Sequence, residues 1–122
     1  MTGAVDEAAK IAEDALASTR ERREAGLEAW ALRLAAEVAT ERDPPDIARA
    51  EDLYREAMQR AECLGARPLV ARCQLGIGSL YRRVGNHHDA RKHLTAAAAL
   101  FREMQMRFWS ERVDAELRML GG

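Results

Sequence analysis

Apolar side chains recur along this chain at intervals of three and four residues. The pattern is fullest in the third of six segments, which contains Ile47, Ala50, Leu53, Tyr54, Ala57, Met58, Ala61 and Leu64. Such spacing brings apolar side chains to one face of an α-helix and leaves polar side chains on the other face. Comparable faces begin in the other five segments near Val5, Leu27, Val70, Ala90 and Trp109. The pattern therefore predicts six amphipathic helices and no strand.

Residues that end or open helices separate most of these segments. The stretch Asp43-Pro44-Pro45-Asp46 supplies a capping residue and two prolines, which can open a helix but cannot lie inside one. Gly65 and Gly85 can each take the left-handed conformation that ends a helix. Asn86 can cap the helix that follows, and Asp89 stands at its capping-box position. Because these linkers are short, we expect consecutive helices to be antiparallel.

Two boundaries have weaker signals. Gly26 is the expected break between the first and second helices. The boundary between the fifth and sixth helices falls near residues 105–107, where the sequence contains neither glycine nor proline. The closing Gly121-Gly122 pair is expected to fray.

The chain also matches itself when it is shifted by forty residues. Under this shift Ala50, Ala57, Arg67, Arg72 and Leu80 recur as Ala90, Ala97, Arg107, Arg112 and Leu120. A period of this length indicates a solenoid of helix pairs, whose units bury their apolar faces by stacking. We therefore expect residues 1–122 to form a single helical-repeat domain with about two full repeats and flanking half-repeats.

The second of these repeats resembles the tetratricopeptide repeat. The family pattern of Leu-Gly, Tyr, Ala, Phe and Ala is matched by Ile77-Gly78, Tyr81, Ala90, Leu94 and Ala97. Gln74 and Arg102 depart from the family's Trp and Pro. A weaker preceding repeat contains Ala36, Ala39, Ala50, Tyr54 and Ala57. The resemblance implies an all-α, antiparallel helix-pair solenoid of about six helices, in which the small residue Gly78 lets the paired helix approach.

A longer stretch resembles the C-terminal tails of large bacterial signalling regulators. It covers about residues 27–120, and its motifs run from Cys63-Leu64-Gly65-Ala66-Arg67-Pro68 to Met106-Arg107-Phe108-Trp109. Those regulators carry a nucleotide cyclase or a P-loop ATPase module upstream. The phosphate-binding GxxxxGK[ST] loop is absent from this sequence. The resemblance therefore implies an interaction module in bacterial signalling without cyclase or ATPase activity, either as a free-standing relative or as a fragment of a larger regulator.

Charge and targeting signals narrow the choice of partners. The net charge of −1 at pH 7 argues against bulk attraction to nucleic acid or to an anionic membrane. No apolar run approaches the roughly 18 residues of a membrane-spanning helix. The N-terminus also lacks the basic and apolar regions of a signal peptide. We therefore expect a cytoplasmic protein that binds neither nucleic acid nor membrane.

Catalytic and metal-binding patterns are weak. His88 and His93 are five residues apart, which is a poor helical spacing for a shared metal ion. Cys63 and Cys73 flank one turn between helices, and we expect them to stay reduced and to act as small apolar residues. No nucleophile elbow or zinc-binding helix motif occurs. We therefore expect no enzymatic activity, no metal and no cofactor.

The resemblance also implies a partner-binding groove, because the first helix of each tetratricopeptide pair lines a concave surface. The corresponding residues here are Trp30, Arg33, Glu37, Arg72, Leu75, Ser79, Arg82, Arg83 and Arg112. The planar guanidinium fork can bind a carboxylate through two hydrogen bonds. A protein or peptide partner with acidic character is therefore expected. The alternative interpretation is that these arginines pair with acidic residues of the same chain.

Two functional hypotheses follow for the whole chain. The first is a peptide- or domain-binding adaptor. The second is an oligomerisation element that forms a homodimer, because the ends of a solenoid expose apolar faces that need a cover. Phe108 and Trp109 are the largest apolar side chains near the C-terminal end.

Overall fold

The helices begin and end close to the boundaries that the apolar pattern predicts. The structure, a computed structural model, describes residues 2–42 and 44–121; the expectations for Asp43 as a cap and for Gly122 as a frayed end lie outside these residues. Within the described ranges the chain forms six helices and no strand, so the all-α prediction is confirmed. The helices are α1 (Thr2–Glu21), α2 (Ala25–Glu41), α3 (Ile47–Leu64), α4 (Arg67–Arg83), α5 (His87–Glu103) and α6 (Arg107–Met119).

The chain divides into two compact units, Met1–Gly65 and Ala66–Gly122, which we call unit 1 and unit 2. In unit 1, α2 packs against both α1 and α3. In unit 2, α5 packs against both α4 and α6. Each unit is thus three consecutive helices with the middle helix in contact with both neighbours. That residues 1–122 form a single domain stays a prediction.

The two cores differ in the size of their side chains. Unit 1 is packed largely through alanine, with Ala29, Ala36, Ala50, Ala57 and Ala61 fully buried. Alanine favours the helix and lets helix backbones approach closely, so little volume is needed between helices. Unit 2 buries larger side chains, among them Leu69, Ile77, Leu80, Leu94, Phe101 and Val113.

The starts of four helices follow the internal repeat. Asp46, Ala66, Asn86 and Met106 precede α3, α4, α5 and α6 at intervals of twenty residues, with closely similar backbone angles. A capping side chain occurs at every second start. The side chain of Asp46 accepts a hydrogen bond from the Arg49 N–H at 3.3 Å, and that of Asn86 accepts one from the Asp89 N–H at 3.4 Å. The pair of helices, forty residues long, is therefore the repeating element.

The turn after α5 reproduces the turn after α4 without its glycine. Gly85 has φ 88°, and the Asn86 N–H donates to the Tyr81 carbonyl at 2.9 Å. At the equivalent place Gln105 has φ 56°, and the Met106 N–H donates to the Phe101 carbonyl at 2.9 Å. Both are left-handed helix ends that satisfy a free carbonyl. This boundary, which has no breaking residue in the sequence, is therefore made by an L-amino acid in a conformation that glycine favours.

The break between α1 and α2 differs from the expected one. Arg23 takes the left-handed position with φ 57°, and the Glu24 N–H donates to the Thr19 carbonyl at 2.9 Å. Helix α2 begins at Ala25, so Gly26 lies in its first turn. The prediction that Gly26 is the break between the two helices was therefore wrong, because Arg23 takes the left-handed turn position and Glu24 makes the hydrogen bond that completes the turn.

Candidate functional site

Helices α4 and α6 of unit 2 lie side by side and are linked through their side chains. The guanidinium carbon of Arg72 lies 4.1 Å from the centre of the Trp109 ring. Further along, the Arg82 Nε–H donates to Glu116 Oε2 at 2.6 Å. Because both links advance together along the chain, α4 and α6 run in the same direction. The surface between them is the part of unit 2 that corresponds to the expected groove.

Trp109 is the centre of this surface. Its ring stacks against Phe101 with 5.9 Å between ring centres, and Phe108 meets it edge-on at 5.2 Å. The guanidinium carbon of Arg112 lies 5.9 Å from the same ring. Each cation–π contact stabilises the arrangement by about 0.5–1 kcal/mol at exposed positions and by more where water is excluded. Two guanidinium groups are thus held beside one indole.

The other expected groove residues of unit 2 have different surroundings. Leu75 is buried and packs in the core with Phe101 and Val113. Ser79 is half-buried, and Arg83 is exposed at the last turn of α4. The charge of Arg82 is offset by Glu116. The structure therefore brings Arg72 and Arg112 together at Trp109, whereas Leu75 contributes to the core.

The three expected residues of unit 1 lie together on α2. Arg33 pairs with Glu37 at 2.8 Å, and its guanidinium carbon lies 5.3 Å from the centre of the Trp30 ring. Only 13% of the Arg33 side chain is exposed, and its buried Nε has no hydrogen-bond partner among the described residues. This arginine is thus held against its own helix and its charge is offset by Glu37. This pairing is the kind that the alternative interpretation of the arginines describes, and a role of Arg33 in a groove stays a prediction.

A ring of four charged side chains joins the three helices of unit 1. Glu28 is buried, and it accepts hydrogen bonds from Arg20 Nε–H at 2.9 Å and from an Arg60 N–H at 3.4 Å. Glu56 accepts from the same two arginines, at 3.1 Å from each terminal nitrogen. The hydrogen bond to Glu28, with the nearby carboxylate charges, raises the pKa of Arg20 above its usual value. Two positive and two negative groups therefore balance within this ring.

The histidine and cysteine side chains are placed separately. His93 Nδ1 lies 2.7 Å from Gln74 Oε1, and its ring centre lies 5.6 Å from that of Tyr81. Gln74 is the residue that replaces the family's tryptophan, so its side chain fills that place with a polar contact. Cys63 is exposed and Cys73 is buried. Across the described part of the chain, no group of three His, Cys, Asp or Glu side chains is placed to hold a metal ion.

The two units have net charges of opposite sign, which the net charge of the whole chain does not reveal. Residues 1–65 contain 15 acidic and 9 basic side chains, which gives a net charge of −6. Residues 66–122 contain 5 acidic and 10 basic side chains, which gives +5, and all three histidines. The argument against attraction to nucleic acid or an anionic membrane used the net charge of −1, which is the sum of these two values. Counting the charges on either side of Gly65 gives the signal directly from the sequence.

None of the helices in the described ranges has the length and apolar character needed to cross a bilayer. The family model of the tetratricopeptide repeat matches residues 46–103, which span α3, α4 and α5 and are a little under half of the chain. No curated protein and no solved structure matches the chain. Residues 46–103 thus match a tetratricopeptide-repeat model, and the all-α, helix-pair architecture of the described residues is consistent with a helical repeat of that kind.

Proposed function

We propose that this protein is a non-catalytic protein–protein interaction module and that unit 2 binds an acidic segment of its partner between α4 and α6. Tetratricopeptide repeats generally mediate protein–protein interaction, and residues 46–103 match that family. The main observation in favour of an acidic partner is the position of Arg72. Its guanidinium carbon lies 4.1 Å from the centre of the Trp109 ring, and Arg112 lies beside the same ring.

The contact with Trp109 prepares Arg72 for an anion. Ordering a long side chain at an interface costs about 0.5–1.5 kcal/mol, and a guanidinium already held over an aromatic ring has lost part of that freedom before binding. Its planar fork matches the two oxygens of a carboxylate. The exposed edge of Phe108, next to Trp109, adds an apolar contact for the partner. An acidic segment that also carries an apolar or aromatic side chain fits this combination.

The charge of unit 2 favours the same class of partner. A net charge of +5 on a small unit attracts anionic segments and raises their rate of encounter. Unit 1, at −6, repels them. An acidic partner is therefore attracted to unit 2 rather than to unit 1.

The test is binding of a fluorescently labelled Glu-rich peptide, which contains one tryptophan, to the full chain. Arg72→Ala should weaken the affinity by roughly 1.5–3 kcal/mol, the range for a hydrogen bond to a charged group. Arg112→Ala should weaken it in the same direction. Arg91→Ala is the matched control, because Arg91 is an exposed arginine of α5 in the same unit. Anisotropy titrations at rising salt should show progressive loss, since exposed charges are screened beyond about 8 Å at 0.15 M.

Equal affinity of wild type and Arg72→Ala, or a loss confined to Arg91→Ala, would contradict this site. A labelled DNA duplex of equal charge forms the second arm of the titration. Tighter binding of the duplex than of the peptide would replace the protein partner with nucleic acid.

We further propose a regulatory role in bacterial signalling inside the cytoplasm. The support is the resemblance of about residues 27–120 to the tails of cyclase- and ATPase-type regulators. In this reading the module acts either beside such a regulator or as part of one. Affinity purification of the tagged chain from the source cells, followed by mass spectrometry, should recover a signalling protein that is lost with Arg72→Ala. Recovery of the same proteins with wild type and Arg72→Ala would contradict the role of the groove in signalling.

A further inference from the structure

Helix α2 carries a row of apolar and acidic side chains that are exposed in unit 1. Its members are spaced alternately by three and four residues, which places them on one side of the helix. They are Leu27, Trp30, Leu34, Glu37 and Glu41, and we call them the α2 face. The three apolar side chains are 38–56% exposed. Three large apolar side chains in one row are the pattern of a helix seam that packs against a partner helix.

Helix α6 carries an apolar and basic face on the side away from α4 and α5. Its members are Arg107, Phe108, Glu111, Ala115, Arg118 and Met119, which we call the α6 face. Phe108 is 66% exposed and Met119 is 62% exposed. Glu111 is paired with Arg107 at 3.1 Å. Among the described residues neither Arg118 of this face nor Glu41 of the α2 face forms an ion pair.

We propose that the α2 face of one copy of this chain binds the α6 face of a second copy. Each face carries three apolar side chains, and the net charges of the two faces are opposite. Two α2 faces would bring two units of net charge −6 together, and two α6 faces would bring two units of +5 together. Juxtaposed like charges cost several kcal/mol at an interface. Only contact between an α2 face and an α6 face buries apolar side chains of both faces and also brings unlike charges together.

This contact shares Phe108 with the proposed peptide site but does not use Arg72 or Trp109. The contact of Arg72 with the Trp109 ring lies between α4 and α6, whereas Arg107, Arg118 and Met119 of the α6 face are exposed. The contact joins two different surfaces, so each added copy still offers one free face of each kind. The expected behaviour is a concentration-dependent series of oligomers that high salt disperses.

Sedimentation velocity of the full chain at rising concentration tests the proposal. The wild type should associate reversibly at about 0.05 M salt and dissociate at about 0.5 M. Between these two salt concentrations the screening length falls from over 10 Å to a few ångströms. The variant Glu37→Arg/Glu41→Arg makes the α2 face basic, so that both faces of that variant are basic. The variant Arg107→Glu/Arg118→Glu makes the α6 face acidic, so that both faces of that variant are acidic. Each variant alone should lose at least about tenfold in association affinity. Circular dichroism verifies that both variants are folded, and Leu34→Arg is a second α2-face variant outside the core.

An equimolar mixture of the two charge-reversed variants gives the decisive result. Each interface in the mixture again joins a basic face to an acidic one, so association should return. Arg91→Glu/Lys92→Glu is the matched control, because it makes the same charge change on exposed positions of α5. It should associate as the wild type does, and so should Arg72→Ala.

Three results would overturn the proposal. The first is a wild type that sediments as a monomer at low salt up to several hundred micromolar. The second is wild-type association in either charge-reversed variant. The third is a mixture in which both variants stay dissociated, since that would place the loss in something other than face-to-face charge pairing. Loss of peptide binding in Arg72→Ala with unchanged self-association separates this contact from the peptide site.

Discussion

Arg23 and Gln105 each end a helix in a conformation that L-amino acids rarely adopt. Their φ angles of 57° and 56° place them in the left-handed region, where Cβ crowds the following carbonyl oxygen. The hydrogen bonds of the turn and the packing of the flanking helices hold them there. At the equivalent turn Gly85 reaches φ 88° without this cost. The preference for glycine in the left-handed conformation is thus followed at Gly85 but not at Arg23 or Gln105.

Gln105→Gly should therefore stabilise unit 2. Removal of Cβ relieves the crowding, although glycine gives back some of the gain because it is freer in the unfolded chain. The expected gain in the free energy of unfolding is about 0.5–1 kcal/mol. Gly85→Ala, the reverse change in the same turn type, should lose about 1 kcal/mol. Chemical denaturation followed by circular dichroism measures both, and a loss of stability in Gln105→Gly would show that the glutamine side chain contributes to the turn.

At the scale of elements, the pair α4–α5 depends on one close approach. A Cβ built on Gly78 would lie 2.7 Å from Leu94 Cγ and 3.3 Å from the Leu94 backbone nitrogen. The branch point of leucine cannot turn away without a rotamer change, and the backbone contact limits any shift of the helix. The expectation that Gly78 lets its paired helix approach is therefore confirmed, and the resemblance to the tetratricopeptide repeat located it without coordinates.

Gly78→Ala should destabilise the protein by about 1–3 kcal/mol, the usual cost of overpacking a filled core. Gly26→Ala is the matched control. Gly26 lies within α2, and a Cβ there would have no neighbour within 4 Å. Because alanine is the better helix former, the control should gain up to about 1 kcal/mol. Thermal unfolding that shows both changes to be neutral or stabilising would mean that α4 and α5 are not in close contact at Gly78.

At the scale of the whole molecule, the chain behaves as two oppositely charged units. The net charge of −1 describes neither of them, since unit 1 carries −6 and unit 2 carries +5. Surface fields decay within about 8–10 Å at ordinary ionic strength, so a binding partner or a charged surface meets the local charge of one unit. Electrostatic conclusions about this protein therefore have to be drawn unit by unit.

Ion exchange at pH 7 and low salt should retain the protein on both cationic and anionic resins. A chain with evenly mixed charge and a net −1 would bind weakly to the anion exchanger and pass through the cation exchanger. Arg107→Glu/Arg118→Glu lowers the charge of unit 2 from +5 to +1. This variant should lose its retention on the cation exchanger while it binds the anion exchanger more tightly. Passage of the wild type through the cation exchanger would show that unit 1 dominates the external field.

The periodicity of apolar residues was enough to predict six helices, because burial of one side of a helix requires steps of three and four. The forty-residue period predicted where those helices recur, and Asp46 and Asn86 confirm it as the two capping residues of equivalent starts. Capping residues, prolines and glycines act on the backbone within a few residues, so their effect can be predicted from the sequence. At Arg23 and Gln105 no such local signal exists, because there the turn is set by packing of the flanking helices.

The candidate site was predicted only in part. The resemblance selected Arg72 and Arg112, since both occupy first-helix positions of a repeat. It also selected Leu75, which packs against Phe101 and Val113 in the core. The period of a helix tells which side chains share its face, but which neighbouring helix meets that face depends on contacts between distant residues. The link from Arg72 to Trp109 therefore required the tertiary structure, whereas Arg33 lies three residues from Trp30 and four from Glu37 and meets both by helical spacing alone.

By itself, the sequence determined the number of helices, their repeat, the close approach at Gly78 and the absence of known catalytic motifs. These properties depend on intervals along one chain and on the size of single residues. Tertiary structure alone decided which arginines meet a side chain of another helix, as Arg82 meets Glu116 and Arg72 meets Trp109, and at which residue the chain divides into two units. The reason is that charge pairing and screening act through space over a few ångströms, and residues separated by ten to forty positions become neighbours only when the helices pack.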